Sequence, residues 1–168
     1  MNKTLVVFML SLLPGLAMAA NSHDPSPEEH DTHHSEHSSH HHEATHGVGQ
    51  PGKAAEVSRT IEIDMSDNMR FSPDNIDVQS GETIRFVVTN SGQLVHELVI
   101  GDMDSLLAHA KEMRDMPDME HEDPNMISLQ PGEQGELLWK FTDAGNIDFA
   151  CLLPGHMEAG MKGQVQVK

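Results

Sequence analysis

From about residue 57 onward, short runs of alternating apolar and polar side chains recur, each closed by Gly, Pro, Asn or Ser. Period-two alternation buries one face of a strand and wets the other, whereas a helix needs apolar residues three and four apart. Ile61 and Ile63 alternate with Glu62 and Asp64. Ile84, Phe86 and Val88 share one face, and Arg85, Val87 and Thr89 the other. Ile76 with Val78, then 94–100, 126–129, 135–141, 146–151 and 163–167, read as further strands. Phe71-Ser72-Pro73, Ser80-Gly81-Glu82 and Asn90-Ser91-Gly92 read as turns. Only residues 106–114 have helical spacing, with Leu106, Leu107, Ala110 and Met113 on one stripe. Short strands with frequent turns predict an all-β Greek-key sandwich or barrel carrying one short helical insertion. About 110 residues can enclose one core, with Trp139 and the phenylalanines expected inside it.

The residues before this pattern read differently. Lys3, the apolar run 5–16 and Ala17-Met18-Ala19 have the form of an export signal, residues 1–19. That run is too short for a membrane span of about 20 residues. No second candidate follows, so a soluble periplasmic protein without a membrane span after cleavage is expected. Removal leaves roughly 149 residues, one domain plus extras. Residues 20–56 have almost no large apolar side chains and read as a disordered tail, with 47–53 as a flexible linker. Nine of the thirteen histidines fall there: His23, His30, His33, His34, His37, His40, His41, His42 and His46. A formal charge of −17 argues against nucleic acid or an anionic membrane as partner. It suits attraction of cations or a basic partner, and equally plain solubility.

Cys151 is the only cysteine, and exported proteins usually pair theirs. By itself it fits a buried inert thiol or an intermolecular disulfide as readily as a metal-bound thiolate. Its surroundings shift that balance. In the run 146–151, alternation puts Ile147, Phe149 and Cys151 on the core face and Asp148 and Ala150 on the other. His156 and Met161 follow at Cys-x4-His-x4-Met spacing, in a loop that Pro154, Gly155 and Gly160 allow to turn back. His96 is expected to point inward together with Leu94, Leu98 and Ile100. Taken singly, each of these side chains is ordinary packing. Together, two imidazoles, a thiolate and a thioether are the donor set of a blue-copper centre. Zinc is the rival metal, but structural zinc sites use more Cys or His and no Met.

Gly92-Gln-Leu-Val-His96-Glu-Leu and Phe149-Ala-Cys151-Leu-Leu-Pro154-Gly155-His156-Met-Glu-Ala-Gly160-Met161-Lys-Gly163 resemble the cupredoxins, the plastocyanin and azurin superfamily, over about residues 61–168. The resemblance implies a Greek-key cupredoxin β-sandwich spanning 57–168, the helix and a Met-rich insertion occupying about 102–125. It implies one type 1 copper, with His96, Cys151 and His156 as equatorial ligands and Met161 as the axial one. The Cys-to-His loop is longer than in plastocyanin and similar to that of rusticyanin. Glu97 stands where several relatives have Asn. The combination of export signal, His-rich leader and Met-rich insertion resembles the CopI-type periplasmic copper-tolerance cupredoxins.

Two further segments bear metal-binding residue types. Among the tail histidines, His33, His34, His37, His40, His41 and His42 form a cluster suited to weak, pH-dependent capture of Cu(II), Zn(II) or Ni(II). Met113, Met116, Met119 and His121 offer soft donors for Cu(I), against a reading as helix packing and ordinary loop. His109 is expected to be exposed on the helix, and Met65 and Met69 flank a turn at Asp67-Asn68 that lies near the site or apart from it. The expected function is non-enzymatic copper handling in tolerance and homeostasis, with one-electron copper chemistry, copper ions as ligand and a redox or copper-trafficking protein as partner. The alternative is a soluble electron carrier between redox partners. No hydrolytic triad or second His-rich copper cluster supports an enzyme.

Overall fold

The computed structural model describes residues 47–115 and 123–168. In chain order the strands are β1 (Gln50–Pro51), β2 (Arg59–Ser66), β3 (Arg70–Ser72), β4 (Asn75–Val78), β5 (Thr83–Asn90) and β6 (His96–Gly101). After helix α1 (Met103–Asp115) come β7 (Met126–Leu129), β8 (Gln134–Lys140), β9 (Gly145–Ala150) and β10 (Lys162–Val167). They form two five-stranded sheets, ordered β1-β8-β5-β2-β3 and β4-β10-β9-β6-β7. The pairings are antiparallel except β2 with β5 and β4 with β10. No helix among the described residues is long and apolar enough to cross a membrane.

The alternation read from sequence becomes the sandwich core. Ile63, Ile84, Phe86, Val88, Leu137 and Trp139 of the first sheet meet Ile76, Leu98, Ile147, Phe149 and Val165 of the second in one buried cluster. Aromatic rings pack edge-on inside it, Phe71 against Phe149 at 5.1 Å and Phe86 against Phe141 at 6.2 Å. The outer face of the second sheet has its own cover. There Val99, Ala150 and Leu152 pack with Leu106 and Ala110 of α1, and Met126 and Met157 close over them. Asp102 caps the helix, its carboxylate accepting from the Ser105 amide at 2.9 Å.

Four expectations need correction. The sandwich begins before residue 57: Val48 is buried, β1 pairs with β8, and the Trp139 indole donates to the Val48 carbonyl at 2.9 Å. A buried indole N–H requires a partner, and a polar sequence without alternation gave no sign that it would supply one. Within 47–53, Val48 to Gly52 are therefore held against β8 rather than forming a free linker. Leu94 is 48% exposed, not inward, because β6 begins only at His96. Phe71 and Ser72 belong to strand β3, pairing with β2, and the turn follows them. His109 is half-buried on α1 rather than exposed.

Phe149 of β9 is buried in this core against Phe71, two residues before Cys151. Phe149→Ala should destabilise the copper-free protein by about 3–5 kcal/mol through lost burial and a cavity, measured by urea unfolding.

Candidate metal centre

Two neighbouring strands deliver the first two donors to one end of the core. β6 pairs with β9 antiparallel, Val99 opposite Ala150 and Ile100 opposite Phe149, so His96 at the start of β6 lies near Cys151 just beyond β9. Both side chains are fully buried. Cys151 shares the inner cluster with Ile147 and Phe149, while Ala150 faces α1, as alternation requires.

The third donor comes from the loop after Cys151. The His156 amide donates to the Leu153 carbonyl at 3.0 Å, the Met161 amide to the His156 carbonyl at 3.0 Å, and the Cys151 amide to the Met161 carbonyl at 3.1 Å. The loop thus closes on itself and returns Met161, fully buried, beside Cys151 in sequence register. Gly160 has φ +108°, and a Cβ there would strike the Arg70 guanidinium. Arg70 Nη1 donates to the carbonyls of Met69 at 2.7 Å and Ala159 at 2.9 Å, tying the loop to the β2–β3 turn.

The donor atoms of His96, Cys151 and His156 all lie within 4.8 Å of one another. His156 Nδ1 is 3.2 Å from Cys151 Sγ and 3.3 Å from His96 Nδ1. Three soft or borderline donors this close together fit a copper ion by their chemistry. Cys151 and His96 are sealed from water, whereas His156 is half-buried and reaches the surface.

Burial shapes the protonation of the site. Desolvation pushes the Cys151 thiol up to about 11, against the opposing amides of Glu97 and Leu153. The Glu97 amide donates to Cys151 Sγ at 3.4 Å, so the hydrogen bond to sulfur comes from the backbone and does not depend on the side chain at 97. The Glu97 carboxyl is buried with Oε2 unpartnered, and desolvation raises its pKa. Desolvation also lowers that of His156, with His96 adding to the effect.

Asp67 is the site residue that sequence reasoning missed. Its Oδ1 lies 3.0 Å from His96 Nε2, on the side of the ring away from Cys151. The Gln93 amide, first of all, holds its pKa below the ordinary carboxylate range. Met65 is buried in the core and Met69 half-buried, and Asp67, the middle of the three residues between them, reaches His96 instead. The Asp67-Asn68 turn was the only signal, and nothing in it points to a histidine 29 positions away. Of the secondary candidates, Met113 is buried on α1. Met116, Met119, His121 and the tail histidines lie outside the described residues.

The copper-binding proteins of the plastocyanin/azurin family match residues 55–168. This chain belongs to that family. Within it the chain groups with the CopI-type cupredoxins. The copper-resistant cuproprotein CopI of Rubrivivax gelatinosus is 54% identical over 120 residues, covering 71% of this chain and 73% of that protein. The CopI of Vibrio cholerae serotype O1 is 32% identical over 167 residues, 99% of each chain. Among solved structures, dithionite-reduced auracyanin from Roseiflexus castenholzii superposes with a TM-score of 0.56 at 25% identity, over 67% of this chain and 98% of that one. Auracyanin B, at 21% identity and a TM-score of 0.60 over 71% of this chain and 96% of that one, shares the cupredoxin fold.

The buried thiol gives the copper-free cupredoxin a pH signature. Its folded pKa of about 11 lies above the ordinary 9.0, so the thiol is protonated in both states below pH 9 and its stabilising effect is complete there. Stability should then fall as pH rises from 9 toward 11, where the unfolded chain ionises first. Urea unfolding across that window should show the loss in the wild type and a smaller one in Cys151→Ala.

Proposed function

We propose that this chain is a periplasmic copper-handling cupredoxin that holds one type 1 copper through His96, Cys151, His156 and Met161 and acts in copper tolerance. The observation that carries the reading is the convergence of His96, Cys151 and His156 donors at the sealed end of a stiff sandwich. The names of its CopI relatives, copper-resistant cuproproteins, support the tolerance role. Copper bound there would supply a one-electron Cu(II)/Cu(I) couple. The protein's own part is to exclude water from Cys151 and His96, hold both in place through the β6–β9 pairing, and leave one edge of His156 accessible. Loading must release the Cys151 proton, so copper affinity is expected to fall as pH falls. The tail histidines 33, 34, 37, 40, 41 and 42, with Met113, Met116, Met119 and His121, add weaker metal capture in this reading. The role is non-enzymatic.

The half-buried His156 also favours a second reading, an electron carrier that exchanges one electron with a redox partner at that edge. Growth separates the two. A strain lacking the gene should become copper-sensitive, the wild-type gene should restore tolerance, and a Cys151→Ser allele should not. Unaltered copper tolerance in the deletion, together with slowed transfer to an oxidase or reductase, would decide for the carrier.

A further inference from the structure

We propose that Asp67 is a positioning residue for the copper centre: its carboxylate fixes the His96 imidazole with the proton on Nε2 and the lone pair on Nδ1, and biases bound copper toward Cu(II). The proposal rests on the copper-site reading above and adds a residue outside the ligand set.

The geometry around Asp67 is built rather than incidental. Oδ2 accepts from the Gln93 amide at 2.8 Å, and Oδ1 accepts from the Leu94 amide at 3.3 Å and faces His96 Nε2 at 3.0 Å. The same loop is anchored upstream. The Ser91 amide donates to the Met65 carbonyl at 2.9 Å, and Ser91 Oγ lies 2.9 Å from Asp64 Oδ2. Gly92 completes the seat, because a Cβ there would collide with Asp67 Oδ1. The glycine in the Gly92-to-His96 motif thus makes room for this carboxylate.

The chemical consequence follows from proton counting. An ionised carboxylate only accepts hydrogen bonds, so the ring nitrogen that faces Asp67, Nε2, is the one that carries a proton, and a ring with a single proton keeps its lone pair on Nδ1. Nδ1 is the atom that faces His156 and, through it, the sulfur of Cys151. A carboxylate on the far nitrogen raises the donor strength of a ligating imidazole, and loss of such outer partners typically costs about 10–100-fold in metal affinity. Its negative charge also favours the doubly charged ion over the singly charged one. Because the Asp67 side chain is 38% exposed, water screens part of that effect, which places it at the lower end of the range.

The competing role is a loop cap that only satisfies the Gln93 and Leu94 amides. Asp67→Asn in the full chain separates the two, since it keeps size and an acceptor oxygen while removing the charge. With copper bound, it should keep the thiolate-to-copper visible band yet lose about tenfold in affinity for Cu(II) with little change for Cu(I), an upward shift of about 59 mV in reduction potential. In the copper-free protein, nitrogen-15 NMR should show His96 protonated on Nε2 in the wild type. In Asp67→Ala it should show a mixture of tautomers. An unchanged potential in Asp67→Asn, or an unchanged tautomer in Asp67→Ala, overturns the proposal. Should Asp67→Ala fail to fold, the Asp67→Asn potential decides alone. A wild type lacking the visible band would instead remove the copper-site reading, and the copper-free NMR arm would still test the hold of Asp67 on His96.

Discussion

The register between β6 and β9 is the constraint on which the rest depends. With Val99 opposite Ala150, His96 and Cys151 leave the inner face at the same end of the sandwich. A slip of one residue would turn every side chain of one strand to the opposite face, exposing His96 to α1 and bringing Glu97 into the core. Burial on both faces of the second sheet forbids that slip. Leu98 and Ile100 fill the inner cluster while Val99 packs under Leu106 and Ala110. The helical insertion therefore does more than decorate the sandwich: it makes the outer face specific too, and so fixes the register that assembles the donors.

Electrostatics then separates the donors by role. Cys151 and His96 are sealed, and desolvation favours the protonated thiol. His156 keeps contact with solvent. The β2–β3 hairpin grips the site from two sides, Asp67 holding His96 and Arg70 holding Ala159 in the loop after Cys151. A rigid frame of this kind lets a metal change charge with little rearrangement of its surroundings, which suits either copper handling or electron exchange.

How much of this was legible in the sequence follows from the range of each interaction. Alternation in 84–89 and 147–151 is a local signal, and it gave the strands, the core face of Cys151 and the opposite face of Ala150. Cys151, His156 and Met161 lie within one loop, so their spacing could be read directly. His96 needed the donor-set chemistry to single it out from other inward histidines. Asp67 could not be found this way, because its link to His96 crosses from a turn of one sheet to the first residue of β6 in the other. Leu94 was misplaced because alternation does not say where a strand starts, and β6 begins two residues later. The edge strand at Gln50–Pro51 escaped notice for a related reason: two residues cannot show a period, and their place is set by Trp139 across the sheet.

The central claim is that copper is held by the thiolate at the end of β9 and not merely by the abundant histidines elsewhere in the chain. Copper K-edge X-ray absorption on the full-length protein loaded with one equivalent of Cu(II) tests it most directly. One sulfur scatterer at short range is expected together with two imidazole nitrogens, with loss of that sulfur shell in Cys151→Ser. A first shell of nitrogen and oxygen alone, identical in the wild type and Cys151→Ser, would contradict it.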